Sequence, residues 1–538
     1  MLKNPIIEGY YPDPSICRVG DDFYLACSSF EMCPGIPIFH STDLAHWEQI
    51  ANAMTKENGL FVKKESGVGG LMAPTIRYHK QKELFYIINT NFSDAGNYII
   101  TAKEPQGPWS NPHWLEDVPG IDASLFFDDD GKAYIIGTGD VWENGSGTME
   151  RGIWAAEYDI DLFQMKGKPT PIFGSALRGA ASPEAPHLYH VGDYYYLIIA
   201  EGGTEHYHSV VAARCKEVLG IYEGDPANPV MTHRHMGFQS PIINVGHADL
   251  VELPDGSWYA VMLASRLIEG KYKNLGRETF ICPVVWERGW PLFSPETGKI
   301  EWEYEEPASL TVTKYEAIPA FDDFNQDTLT LDWTVWGTPT EEFYTISDSK
   351  LSVRCLKQPV IEELKPMQMG KDEKRAPFAA VLTKRQTKVN TTAACCMEFE
   401  PSGTEAAGML VAQAMNHQLH IRLVREAGEQ RLQAAAYTAD YNHPPYIPGF
   451  EASTREEIIA QVKWDKKQTV IEIKMQGEDY TIYYGTDSSK LQMLCHFDAA
   501  KINPEKVGCM TGTVIGIFAT SNGEQSDNHA DFDWFELD

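Results

Sequence analysis

Apolar residues in this chain come in short runs with the two-residue period of strands, and long helical periodicity is missing. The runs follow an order that repeats: a short apolar strand, a polar turn, then an aromatic-rich strand. The first unit opens with Tyr10-Tyr11-Pro12-Asp13-Pro14-Ser15-Ile16 and runs to Asp21-Asp22-Phe23-Tyr24-Leu25-Ala26. The others open at Ala73-Pro74-Thr75-Ile76, Asp122-Ala123-Ser124-Leu125, Ala185-Pro186-His187-Leu188 and His247-Ala248-Asp249-Leu250. Their starts lie 60, 49, 63 and 62 residues apart. Polar turns carrying Gly or Asp between such runs are hairpin signals. A repeat near this period, each unit a small antiparallel sheet, predicts a β-propeller, and five units predict five blades.

Register turns the repeat into a site. Equivalent positions in a propeller have equivalent places around its axis, and the first strands line the central channel. Asp13, Asp122 and His247 are equivalent, and Glu184 precedes the equivalent Ala185 by one residue. Three carboxylates and an imidazole, from four blades far apart in sequence, are therefore expected at one channel mouth. Asp13 also sits between two prolines, which predicts a stiff, extended backbone at this position. A single Pro-Asp-Pro would be only a turn before a strand; its recurrence at corresponding positions is what makes it a site.

The repeat region spans residues 1–305. The Asp128-Asp129-Asp130-Gly131 run falls where a hairpin turn is needed, so it is read as a turn and not as a calcium loop. Residues 306–320, with Pro307 and Pro319, are read as a linker. From Phe321-Asp322-Asp323-Phe324 onward, alternating strands such as Val470-Ile471-Glu472-Ile473-Lys474 recur between Gly-, Asn- and Asp-rich turns. Residues 321–538 are thus predicted to be a β-sandwich, with Asn442-His443-Pro444-Pro445 as one of its loops. The whole chain is predicted to be all-β.

Composition narrows the partners. A formal net charge of −31 argues against nucleic acid or an anionic membrane and favours a neutral substrate. No apolar run is long enough for a transmembrane helix, and none near Met1 reads as a secretory signal. The ten cysteines show no CxxC pair and no zinc spacing, which fits free, mostly buried thiols in a reducing cytoplasm.

Two acids facing each other across a sugar-sized cleft are what glycoside hydrolysis needs: one protonated, to give its proton to the leaving oxygen, and one ionised. A third acid nearby raises the donor's pKa by like-charge repulsion. The motifs Tyr-Pro-Asp-Pro-Ser-Ile at 11–16, Ile-Asp-Ala-Ser-Leu-Phe at 121–126, Glu-Ala-Pro-His-Leu-Tyr at 184–189, Gly-His-Ala-Asp-Leu at 246–250 and Leu-Gly-Arg-Glu-Thr at 275–279 resemble glycoside hydrolase family 43. The closest look is to its β-xylosidase and α-L-arabinofuranosidase members. One motif alone is weak, but five in this order are specific. The resemblance spans both domains and implies a five-bladed β-propeller followed by a concanavalin-like β-sandwich.

It also implies roles. Asp13 matches the general base, Glu184 the general acid, and Asp122 the acid that tunes and orients Glu184. Arg277 matches an arginine that bonds sugar hydroxyls. Phe30, Met72 and Thr204 match positions lining the pocket. His247 matches a histidine that often sits by a hydrated axial cation, commonly calcium, and Asp323 and Asp531 are candidates for a second calcium in the sandwich. The chemistry itself implies no required cofactor. In one respect the chain departs from the family: β-xylosidase members place a phenylalanine of the sandwich over the pocket, whereas the segment here reads Gly508-Cys509-Met510-Thr511-Gly512, with Met510 in that place.

The expected function is an inverting hydrolase that removes terminal β-D-xylosyl or α-L-arabinofuranosyl residues from short oligosaccharides, acting alone or as a homo-oligomer. Xylan 1,4-β-xylosidase is the first choice and α-L-arabinofuranosidase the second. A non-catalytic sugar-binding protein would need no proton donor, so retention of all three acids argues against it. Fructoside-cleaving relatives of the fold carry an Asn-Asp-Pro-Asn-like motif that Tyr-Pro-Asp-Pro does not match.

Overall fold

The structure is a computed structural model. It describes the chain except residues 60, 64–68, 93, 144–146, 177–179, 314, 316–317, 362–377, 444–448 and 504–509. Pro444 and Pro445 of the sandwich loop and Gly508 and Cys509 before Met510 lie outside the described residues.

Five antiparallel sheets arise from the five repeats, with strands in sequence order except that Thr170–Phe173 of the third returns to pair with Met149–Asp159. Their innermost strands are Ser15–Val19, Leu71–His79, Ser124–Phe127, Glu184–Val191 and Ile242–Glu252. The Asp128–Asp130 run forms the turn after the third of these: Asp128 N–H donates to Lys132 O and Gly131 N–H to Asp128 O. The ring is closed by the start of the chain. Leu2–Lys3 pairs with Glu303–Tyr304, and the Asn4 amide donates to Ile281 O and Glu301 O of the last blade.

Inside the channel, one carboxylate joins four blades. Asp249 is fully buried. It accepts both Nη atoms of Arg77, at 2.8 and 2.9 Å. It also accepts Ser15 Oγ at 2.7 Å, Ile16 N–H at 3.0 Å and the Tyr189 hydroxyl. Arg77 goes on to donate to His187 Nδ1 at 3.0 Å. Asp249 follows His247 by two residues, Ser15 follows Asp13 by two and His187 follows Glu184 by three. The clamp therefore fixes the strands just below the residues that meet at the mouth. Two charges persist in a low-dielectric channel because they are paired with each other and hydrogen-bonded.

The sandwich is built from a six-stranded and an eight-stranded sheet. The central strand Ala406–Ala414 is buried along its whole length. Ala407, Met409 and Val411 face the sandwich interior, while Ala406, Leu410 and Ala412 pack in one cluster with Tyr10, Phe30 and Met32 of the first blade. Burial on both faces explains why this strand is apolar, Gln413 apart, and does not alternate. Val335–Trp336 pairs with Met32–Cys33, a β-ladder that crosses the two domains. The nine described cysteines are all free thiols.

Replacing Asp249 with Ala strands the Arg77 guanidinium without its counter-charge. A loss of about 3–5 kcal/mol in unfolding free energy is expected, the range for breaking one partner out of a buried ion pair. Urea denaturation followed by tryptophan fluorescence checks it; an unchanged midpoint would show that the channel does not depend on the clamp.

Candidate active site

Each blade makes the same backbone kink at the channel mouth. Asp13, Ala73, Asp122, Ala185 and His247 all have positive φ, between 45° and 56°, so Asp13 is left-handed and not extended as its flanking prolines predicted. This left-handed conformation is costly for residues other than glycine, and it collects at functional sites. In three blades the pairing register slips at the kink, between Met72 and Thr75, Glu184 and His187, and Gly246 and Asp249. The kink turns the side chain at this position, and the one before it, toward the channel mouth.

The structure brings Asp13, Phe30, Met72, Asp122, Glu184, Thr204, His247, Arg277 and Met510 together around one small cavity of about 80 Å³. Ala73, Ile121 and His208 also line it. A much larger cavity of about 610 Å³ opens at the opposite end of the propeller, lined partly by Arg77 and Tyr189 of the clamp. The larger space is not where the acids are, and the clamp separates the two.

Asp13 is held from two sides. Ser28 Oγ donates to Oδ2 at 2.6 Å and Arg277 Nη1 to Oδ1 at 2.8 Å. Burial by itself would raise this carboxyl, but Arg277, then His247 and the Ser28 hydrogen bond, outweigh it, so Asp13 lies below the usual carboxylate range. Arg277 Nη1 also reaches Thr204 Oγ1 at 3.0 Å, and the guanidinium lies 5.4 Å from the centre of the Phe30 ring.

Asp122 and Glu184 show the opposite effect. Among the described residues no cation lies within 4 Å of either carboxylate. Burial first, and then the Asp122 charge, push Glu184 up to about 8. Burial, with Asp13 adding to it against the pull of His247, also raises Asp122, which accepts the Ala185 N–H just after Glu184. The site thus holds one ionised carboxylate opposite a protonated one.

Glycine is required before His247. A Cβ at Gly246 would lie 2.5 Å from the His208 ring. The His208 Nδ1–H donates to Asn244 O at 2.9 Å, and burial pushes this imidazole down to about 3, so it stays neutral. Met510 closes the pocket from the sandwich side. Its carbonyl accepts the Tyr10 hydroxyl, and Tyr10 stacks on Phe30 with ring centres 5.7 Å apart. Three residues on, Thr513 N–H and Oγ1 both donate to Asn274 O at 2.8 Å, steadying the loop that carries Arg277.

Sequence reasoning missed Ser28, His208 and the Tyr10–Met510 contact. Ser28 had a signal in the Ser28-Ser29-Phe30 run that ends the first hairpin. His208 had none, because the residues its ring meets, Asn244 and Gly246, lie 36 and 38 residues away.

The residues around His247 do not suit a directly chelated calcium ion, which takes six to eight oxygen ligands. His247 Nδ1 lies 3.9 Å from an Asp13 oxygen already bonded to Arg277. The nearby His187 Nε2 carries the ring proton, because Nδ1 accepts from Arg77; it is buried with no partner and would point a donor, not a ligand, at a cation. In the sandwich, Asp323 bonds Asn325 and Asp531 bonds Ser352. Neither acid belongs to a cluster of three or more potential ligand side chains among the described residues. Among the described residues, the one such group is Asp128, Asp129 and His190 at the far end of the propeller.

An acid and a base held in different protonation states around a narrow, dead-end pocket define a glycoside hydrolase. The comparisons give the particular family: the chain belongs to glycosyl hydrolase family 43, whose model matches residues 2–291. Residues 321–538 match the β-xylosidase C-terminal concanavalin A-like domain. A xylosidase/arabinosidase of Butyrivibrio fibrisolvens is 38% identical over 100% of this chain and 99% of its own. A non-reducing end α-L-arabinofuranosidase of Bacteroides ovatus is 36% identical over 100% and 94%. The crystal structure of a xylan β-1,4-xylosidase from Bacillus halodurans superposes with a TM-score of 0.87 at 28% identity, covering 100% of both chains.

The raised Glu184 carboxyl carries a stability cost whose sign can be measured. Between its ordinary value of 4.5 and about 8, the native state holds a proton that the unfolded chain releases. Native stability is therefore lost progressively as pH rises through that window. Glu184→Gln removes the group, so its melting temperature relative to the unmodified protein should climb from pH 5 to pH 8. A pH-independent difference would mean that Glu184 is ionised in the folded protein.

Proposed function

We propose that this enzyme hydrolyses the terminal pentose from xylo-oligosaccharides or arabinoxylan fragments with inversion at the anomeric carbon, and that β-D-xylosides are its main substrates. The observation that carries the reading is the pairing of ionised Asp13 with protonated Glu184 in a pocket that the clamp closes from below. Such a pocket admits the end of a sugar chain but not its middle.

In this reading Asp13 takes a proton from water as the water oxygen attacks the anomeric carbon. Glu184 gives its proton to the glycosidic oxygen as that bond breaks. Solvent exchange then restores both groups. Arg277 keeps Asp13 ionised and presents N–H donors to the sugar hydroxyls, and Asp122 keeps the proton on Glu184. Phe30, Met72 and Met510 supply apolar walls for the C–H faces of a sugar ring. No step passes through a cation.

A second reading, α-L-arabinofuranosidase as the main activity, is supported by the Bacteroides ovatus relative's name and by the adaptable methionine wall, which suits either ring. Paired kcat/KM values on aryl β-D-xyloside and α-L-arabinofuranoside decide between them; turnover of neither would overturn both.

Two further outcomes are expected. Proton NMR of the first product from a β-xyloside should show α-xylose. An inverting pair leaves room for water, with carboxyl groups roughly 6.5–9.5 Å apart; initial release of β-xylose would remove the role of Asp13 as base. The pH–rate profile should fall on its acid side below the usual carboxylate range and on its basic side near 8. In Asp122→Asn the basic limb should move to lower pH, because a like charge beside Glu184 is gone. A basic limb that stays in place would assign it to another group.

A further inference from the structure

Most large apolar side chains of this protein are buried, but Phe238 and Tyr207 are 70% and 63% exposed. They are not scattered. Phe238 stacks on His206 with ring centres 3.7 Å apart and planes 18° from parallel, and His206 also touches the Tyr207 ring. The three rings form one exposed aromatic surface, held together with nothing covering it among the described residues.

Its place is set by the pocket. Glu184 pairs in register with Ala200 on the neighbouring strand, so the loop leaving that strand starts beside the proton donor. Gly202 and Gly203 follow with φ of 89° and 70°, and a Cβ on Gly202 would lie 2.1 Å from Tyr207 O; this tight turn needs both glycines. Thr204 and His208 both line the pocket, so His206 and Tyr207 are the tip between two pocket residues. The tip is pinned at three points: Thr204 to Arg277 at 3.0 Å, Glu205 to Lys273 at 3.0 Å, and His208 to Asn244 O. The segment bearing Phe238 is tied to the same loop, since Thr232 Oγ1 donates to His208 O at 2.8 Å.

The proton from Glu184 goes to the oxygen of the leaving group, so the leaving sugar must lie on the solvent side of that carboxyl. We infer that the His206–Phe238 stack, with Tyr207, is the platform for the leaving-group sugar, taking the C–H face of the pyranose ring next to the scissile bond. This rests on the reading of the pocket as a pentosidase. An exposed aromatic face offers contact area at little conformational cost and tolerates different hydroxyl patterns, which suits the varied neighbours of a terminal pentose.

The test compares two substrates of the same pentose and anomer. One is the xylo-disaccharide, whose leaving group is a sugar; the other is the xylosyl fluoride, whose leaving group has no ring. In Phe238→Ala the ratio of kcat/KM for disaccharide over fluoride should fall on the order of five- to tenfold, mostly through KM, as expected for lost ground-state binding. Phe238→Trp, which keeps a stacking face, should restore the ratio. An unchanged ratio in Phe238→Ala overturns the inference while leaving the pentosidase reading intact. Failure of the unmodified enzyme on both substrates overturns the reading and the inference with it. Equal kinetics accompanied by a change in sedimentation would assign the rings to a contact between copies of the chain, and would likewise overturn it.

Discussion

The site depends on a single buried carboxylate. Asp249 gathers donors from three other blades at the channel axis, and Asp13, Glu184 and His247 stand two or three residues up the strands that it and Arg77 tie together. A charge with no water around it costs several kcal/mol unless it is paired and hydrogen-bonded. Here that cost works as a constraint on assembly: the blades must meet in one register, or Arg77 and Asp249 are left unmatched. Position at the mouth follows from register below it. The sandwich adds a second constraint from above, through Thr513 on the Arg277 loop and Met510 on Tyr10.

One cation at the mouth then divides the labour among three acids. Arg277 is committed to Asp13 at 2.8 Å, whereas among the described residues no ion pair within 4 Å reaches Glu184 or Asp122, which feel Arg151 only at longer range. Coulomb energy falls with distance and rises in a dry pocket, so the nearer carboxylate takes nearly all of the benefit. Of the two that go without, Glu184 keeps its proton. The difference between base and acid therefore needs no difference in residue chemistry, only an asymmetric placement of one guanidinium.

Much of this could be read from the chain, because the repeat was visible in its hydrophobic pattern and because equivalent repeat positions converge in space. Asp13, Asp122, Glu184 and His247 were found by register alone. What the sequence hid was whatever depends on contact between distant segments. Asp249 stood in the quoted Gly-His-Ala-Asp motif, yet nothing local marks it as an axial clamp with Arg77. His208 is invisible until Gly246 is seen to leave room for its ring. The left-handed kinks also gave no warning, since alanine, aspartate and histidine occupy them where glycine is the usual signal. The candidate ligands Asp323 and Asp531 had no motif behind them, and each accepts a local hydrogen bond, from Asn325 and Ser352.

The five kinks make the channel mouth a set of interchangeable sockets. Every blade already bears the backbone strain that aims a side chain at the substrate, whether or not that side chain does chemistry. Ala73 and Ala185 fill two sockets with a bare methyl, and at both the preceding residue, Met72 or Glu184, brings a longer side chain to the pocket. A new chemical group can therefore enter this fold by a single substitution at a position whose conformational cost is already met. Such a scaffold can change what it recognises without being rebuilt, and the blade number sets an upper limit on how many sockets one substrate can meet.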